Sequence, residues 1–252
     1  MLNKIKKIFW WLIYFSGINW IYNKIFSNKL FLIGGHSVSK GNKTYKDLSI
    51  DKEFLESQIR YLLKQGYTFL NFERIDKLQK LPKKSVIMYF DEGFKDIYLN
   101  AYPIFKKYKL LFVLFITTDF INQKQLYLNW DEIRKMTDLA EIGSHGVTHR
   151  DFVDLTDEEL KKELFESGEK IKKEMGKKPI ALSFPHGKYN QKIKDLVRET
   201  GYKFAVTTKR GEADLKDKFE LKKITIYPTD DMMLFKLKLG IFYKIKNLLK
   251  YT

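Results

Sequence analysis

The sequence predicts an α/β protein: a distorted (β/α) barrel in a single domain, preceded by an N-terminal amphipathic, hydrophobic helix. Three observations predict it. Strand-like runs rich in β-branched and aromatic residues alternate with helical patterns six or seven times, the pattern of a parallel sheet with helices outside. No repeat, low-complexity tract or Pro/Gly-rich linker divides the chain after about residue 30, and 252 residues suit one barrel-sized domain. A chain that is 44% hydrophobic and 15% aromatic can bury enough surface to offset its conformational entropy.

In chain order, residues 1–29 stand apart. Lys4, Lys6 and Lys7 precede an aromatic-rich stretch from Ile8 to Ile18, and Lys24 and Lys29 follow it. The apolar run of 11 residues is short of the roughly 20 that cross a bilayer as a helix. No small-residue cleavage site follows, so a cleavable signal peptide is not expected. Trp10, Trp11, Phe15 and Trp20 suit a helix lying in a lipid interface with lysines at the headgroups; the alternative is a helix packed on the body of the protein.

Residues 30–228 read as the barrel. LFLIGG is its first strand-like run. Residues 51–66 then place Phe54, Leu55, Ile59, Leu62 and Leu63 at helical spacing, with Asp51 as N-cap and Gly66 as stop. Strands are expected at 85–90, 111–117, 140–145, 181–185, 204–208 and 223–227. Thr156 and Glu159 have capping-box spacing at one helix start, and another helix runs from Asn190 to just before Gly201. Residues 229–252 form a second basic, apolar segment able to lie on the same surface as the leader.

Composition excludes some chemistry. With no cysteine there are no disulfides, thiolate metal sites or thiol nucleophiles, which leaves His, Asp and Glu as strong metal ligands. A net charge of +16 favours an anionic partner: nucleic acid, anionic lipid or an acidic glycan. The basic residues are spread along the chain without a nucleic-acid-binding signature, so nucleic acid is not expected as a partner.

In such barrels the residues just beyond the strand ends carry the chemistry. The strand SVIMYF runs into Asp91 and Glu92, adjacent carboxylates that point in different directions; one can hold a metal while the other takes a proton from water. A solvated turn also carries such pairs. AEIGSH ends in His145, and His149 follows four residues later, a spacing that on a helical turn sets both imidazoles on one face. In SFPHGKYN, Pro185 and Gly187 define a tight turn whose backbone N–H groups can face a developing oxyanion, although an ordinary strand-to-helix loop reads the same way. His36 follows the first strand, so all four histidines fall at strand ends.

These residues resemble the NodB-type polysaccharide deacetylases over residues 30–228. YFDEGFKDIYLNAYPIFKKY resembles the first motif of that family, EIGSHGVTHRDF the second and FPHGKYN the third; YLNWDEIRKM and GYKFAVTT are also similar to family segments. The resemblance implies Asp91 as general base and one divalent metal, usually zinc and sometimes cobalt or nickel, held by Glu92, His145 and His149. It implies Pro185, His186, Gly187, Tyr189 and Trp130 on the substrate and oxyanion side, with the His186 N–H at the oxyanion. No histidine follows His186 to act as the acid. The chain is therefore similar to members with permuted motifs and an N-terminal acid histidine, which assigns that role to His36.

Three positions depart from the family pattern. Glu92 stands where Asp is usual, Gly146 where Ser or Thr is common, and Ser183 where many members place an arginine that steadies the base. The expected function is removal of N-acetyl groups from sugars of a bacterial cell-surface polysaccharide or its lipid-linked precursor, with an N-acetylated glycan as partner. The leader adds an expected association with the cytoplasmic membrane, peripheral or signal-anchored, through an anionic surface. The alternative is a catalytically impaired relative that binds glycan without turnover.

Overall fold

The computed structural model describes residues 2–25, 29–39, 48–123 and 125–249. Two helices come first, α1 (Leu2–Phe15) and α2 (Ile18–Ile25), followed by β1 (Leu30–Gly35). A short parallel ladder of β2 (Ser37–Ser39) and β3 (Ser49–Asp51) leads into α3 (Lys52–Lys64), β4 (Thr68–Phe69) and α4 (Phe72–Lys77). Next come β5 (Ser85–Phe90), α5 (Tyr102–Tyr108), β6 (Phe112–Ile116), α6 (Trp130–Met136), β7 (Ala140–Ser144) and α7 (Asp157–Met175). The chain continues through β8 (Ala181–Ser183), α8 (Gln191–Glu199), β9 (Phe204–Arg210), β10 (Leu221–Thr225), α9 (Met232–Lys238) and α10 (Phe242–Leu248).

Strand order in the main sheet is β1-β10-β9-β8-β7-β6-β5, and β1 pairs back onto β5 from Leu30↔Ser85 to Gly35↔Phe90. All these pairings are parallel, so seven strands close a barrel; β4 adds to the start of β5. Alternation sorts the side chains. Leu32, Ile87, Tyr89, Val113, Phe115, Phe204 and Val206 form the lumen cluster. Their neighbours Ile33, Val86, Met88, Phe90, Phe112, Leu114 and Ile116 pack beneath the helices, against Leu55, Ile59, Phe105 and Ile133. Phe72 enters the lumen from α4, with ring centroids 5.1 Å from Phe204 and 6.1 Å from Phe115. Gly34 is required by close approach: a Cβ there would stand 2.2 Å from the Tyr89 carbonyl oxygen.

The helix starts follow their sequence signals. Asp51 accepts from the N–H of Glu53 and Phe54, Asn190 from Ile193, and Thr156 forms a full capping box with Glu159. Several expectations shift. The predicted leader helix is two helices, because Gly17 turns the chain at φ +77° between α1 and α2. The strand expected over 181–185 stops at Ser183, where Pro185 opens a 3₁₀ turn. The last strand is 221–225 rather than 223–227, with a register shift against β9 between Leu221 and Lys223.

Residues 229–252 do not form a separate unit within the described range. α9 packs on α3 through Phe235, whose ring lies 6.2 Å from Tyr61, and together α9 and α10 receive the leader: Trp10 packs on Phe242 of α10 at 4.3 Å, and buried Asn19 bonds the Lys236 carbonyl and the Ile241 N–H. The α1–α2 hairpin of the leader also exposes Ile8, Trp11, Leu12, Phe15, Ile18, Trp20, Ile21 and Ile25. Among the described residues no helix is long and apolar enough to cross a membrane.

Candidate active site

Lumen-facing parity, carried just past the strand ends, assembles the site. Ile87, Tyr89 and Asp91 fall on one face of the β5 line, Leu32, Gly34 and His36 on that of β1, and Glu141, Gly143 and His145 on that of β7. Since the strands are parallel, their C-terminal ends gather at one mouth of the barrel.

Asp91 is 1% exposed. Its Oδ2 accepts from Lys223 Nζ at 3.2 Å, its backbone N–H donates to the Gly35 carbonyl, and Oδ1 has no hydrogen-bond partner among the described residues. Burial opposes ionisation, but Lys223, His145 and His36 outweigh it and hold the carboxyl below the usual carboxylate range. Glu92, next in the chain, faces the same histidine group from beyond the strand end. Its backbone is left-handed at φ +73°, and its Oε1 lies 3.7 Å from His149 Nε2. Burial, with the charge of Asp91, pushes the Glu92 carboxyl up to about 7.

His145 is buried, and its Nδ1 lies 2.7 Å from the Ser183 carbonyl oxygen. A carbonyl only accepts, so Nδ1 carries the proton and Nε2 presents a lone pair. That Nε2 is 3.2 Å from His149 Nε2. Burial first, then the neighbouring imidazoles, hold both rings neutral, at about 3 for His145 and about 4 for His149. Neutral imidazoles this close either share a hydrogen bond or aim both lone pairs at one cation; two ligands of a tetrahedral zinc ion are about 3.3 Å apart. The donor set fits a divalent ion. Among the described residues, no three ligand groups are closed around a common point, and Glu92 stands slightly apart from the imidazole pair.

The pair does not ride on a helical turn, as the spacing suggested. Residues 145–150 form a loop, with His149 at φ +65° and Gly146 at φ +78°. Glu163 of α7 shapes it: its carboxylate accepts from the N–H of Val147 at 2.5 Å, the N–H of Thr148 at 3.1 Å, and the Thr148 hydroxyl. Its backbone conformation, not helix periodicity, brings His149 back to His145.

His36 faces this group, with a pKa lowered first by burial, raised by Asp91 and lowered by Lys223. His186 is exposed, left-handed at φ +52°, and its ring lies 4.6 Å from that of His149. Pro185 and Gly187 are buried and form the turn. The Gly187 N–H, expected to be available to an oxyanion, already donates to the Phe184 carbonyl at 2.9 Å. Gly187 is needed there for another reason: a Cβ would meet Thr208 at 2.1 Å.

Two residues expected on the substrate side lie elsewhere. Trp130, at the first position of α6, is 5% exposed and belongs to the core beneath the helices. Tyr189 stacks on Phe184 at 5.0 Å in the cluster under α7 and α8. The ring that does approach His149 is Phe120, at 5.9 Å, itself packed on Tyr127. The sequence reading missed Phe120, Glu163 and Lys223. Lys223 carried a signal, since a lysine two residues after lumen-facing Leu221 on a buried strand must point inward. For Glu163, on a helix rich in acids, no signal existed.

Comparison with known proteins identifies the family and the fold. A family model described as polysaccharide deacetylase matches residues 78–205, half of the chain. YxkH of Bacillus subtilis is 28% identical over 190 residues, 73% of this chain and 66% of that protein. The poly-β-1,6-N-acetyl-D-glucosamine N-deacetylase of Staphylococcus aureus is 26% identical over 208 residues, 70% of this chain and 71% of the relative. The chain thus spans about two thirds of the length of these relatives. A crystal structure of a polysaccharide deacetylase from Bacillus cereus superposes with a TM-score of 0.76 at 27% identity, covering 84% of this chain and 69% of that one.

Proposed function

Because this chain belongs to the polysaccharide deacetylase family, we propose that it hydrolyses the N-acetyl amide of hexosamine residues in a glycan, releasing acetate and a free amine. The observation that carries the reading is the imidazole pair: two neutral Nε2 atoms 3.2 Å apart, beside a carboxylate already deprotonated by its own ion pair. By analogy with the Staphylococcus relative, the substrate class is a poly-N-acetylglucosamine, as a cell-surface polymer or its lipid-linked precursor.

Glu92, His145 and His149 would hold one divalent ion, zinc first, with cobalt or nickel as alternatives; when bound it supplies Lewis acidity at the acetyl carbonyl. The other roles fall to the chain. Asp91 accepts the proton of the attacking water through Oδ1, its unpartnered oxygen. His36, once protonated, delivers that proton to the sugar nitrogen as the C–N bond breaks; because burial lowers its pKa, the protonated form is the minor one at neutral pH. The His186 N–H, with the left-handed turn behind it, lies on the side of the oxyanion. Phe120 offers an apolar wall beside His149.

The working location is a membrane surface. Supporting this, the α1–α2 hairpin exposes Trp11, Phe15, Trp20 and their aliphatic neighbours, and neither residues 1–46 nor 232–252 contain an acidic residue. The proposed association, peripheral or signal-anchored, is with the cytoplasmic membrane.

The test of the activity is acetate release from N-acetylglucosamine oligomers alongside metal content by mass spectrometry. Metal uptake with acetate release supports the hydrolase. Metal uptake or glycan binding without any acetate leaves the impaired, glycan-binding alternative.

A further inference from the structure

The base of a hydrolase must be ionised and must present a fixed oxygen. A carboxylate at a strand end turns freely about its last bond unless one oxygen is tied. Many members of the family place an arginine that steadies the base where this chain has Ser183, whose buried hydroxyl has no partner among the described residues. A cation reaches Asp91 from another strand. Lys223 of β10 sends Nζ to within 3.2 Å of Asp91 Oδ2, the two side chains being 7% and 2% exposed. β1 stands between β10 and β5, and its lumen-facing residue on this path is Gly34, which leaves no side chain in the way. The ammonium also lies 5.4 Å from the centroid of the Tyr89 ring, within cation–π range.

We propose that Lys223 is a positioning residue for the deacetylation, holding Asp91 by Oδ2 so that Oδ1 alone receives the proton, and thereby taking over from β10 the task that the arginine performs in those members. The proposal rests on the hydrolase reading above. An isolated charge in this position would be expensive to bury, so the pair stands or falls together. A lysine binds a carboxylate as a point charge through one oxygen, whereas an arginine tends to engage both. One-oxygen binding is what the free Oδ1 requires.

The experiment uses the full chain loaded with zinc. Lys223→Met is expected to keep the metal and a KM within about threefold of wild type, while kcat falls by roughly 10- to 100-fold. Lys223→Arg is expected to recover most of kcat. A second readout is independent of turnover: nitrogen-15 NMR of lysine side chains should contain a protected ammonium signal that is absent in Lys223→Arg and displaced in Asp91→Asn. Wild-type kcat in Lys223→Met overturns the proposal, as does a loss of activity that follows loss of zinc. Should Lys223→Met fail to fold, a Lys223→Arg variant with little kcat, or an ammonium signal indifferent to Asp91→Asn, overturns it equally. A wild-type protein that releases no acetate yet keeps the Asp91-sensitive signal fails at the hydrolase reading instead.

Discussion

The carboxylate of Glu163 stands where a side chain on Gly146 would have to begin: a Cβ on Gly146 would lie 2.8 Å from Glu163 Oε2. The glycine and the glutamate are thus one device, which accounts for the absence of the family's usual Ser or Thr at position 146. A carboxylate can swing aside, but this one would give up its bonds to Val147, Thr148 and the Thr148 hydroxyl.

Gly146→Ser, which restores the common family residue, should therefore weaken the protein. Displacing a buried carboxylate and forcing φ +78° on a serine are each worth about 1–3 kcal/mol. Glu163→Ala should do the same by stranding two backbone N–H groups. Both variants should also lose zinc affinity, because the loop they loosen carries His149. Thermal melting and zinc titration test this; an unaltered zinc affinity in both would show that the loop holds its shape without the clamp.

The adjacent carboxylates should separate cleanly. Glu92→Ala removes the third donor and should lower metal affinity sharply, whereas Asp91→Asn should retain metal and lose roughly 100-fold or more in turnover. Glu92→Asp should be tolerated only if the left-handed loop at Glu92 can move the shorter side chain closer to His149. Metal content and acetate release on the three variants decide it, and equal metal loss in Asp91→Asn and Glu92→Ala would remove the distinction.

His36→Ala should keep its metal and lose about 100-fold in kcat, the usual contribution of a general acid. Unchanged turnover would move the role to His186, the exposed imidazole beside His149.

Trp11→Ser with Trp20→Ser should abolish flotation with anionic liposomes while leaving acetate release from soluble oligomers intact, since both rings are more than half exposed. Binding to anionic vesicles should weaken with salt. A double variant that floats as well as wild type would make the hairpin purely structural.

Away from the site, Glu141 offers a pH test. Burial, opposed by backbone hydrogen bonds, raises its carboxyl from 4.5 to about 7, and its Oε1 has no partner. A raised acid keeps its proton in the folded state while the unfolded chain has lost it. Stability is then full below about pH 4.5 and falls as pH rises through 7, by at most ~3 kcal/mol. Glu141→Gln should flatten this fall and stabilise the protein above pH 7, read as chemical denaturation midpoints at pH 5 and 8. A parallel decline in wild type and variant would assign the pH dependence to other groups.

The seven barrel strands, three of the capped helices, the strand-end histidines and the Asp91–Glu92 pair were legible in the sequence because each follows from a local period or a local cap: alternation of two, helical spacing, Asp51, Thr156 and Asn190. Apolar runs at 85–90 and 112–116 identify themselves as strands buried on both faces. What only the tertiary structure decided lies between distant residues. Lys223 and Asp91 are 132 positions apart, and their pairing depends on β1 closing the barrel between them. Trp130 and Tyr189 were expected on the substrate side by resemblance, yet the direction of α6 and the turn after Pro185 bury one and stack the other. The i, i+4 histidines do meet, but not on the helical turn their spacing suggested, since a helix and a clamped left-handed loop can bring the same two rings together. Local sequence sets the conformational preference of a few residues; the closure of a sheet and the reach of a carboxylate from a neighbouring helix are set by packing across the whole chain, where no single segment carries the signal.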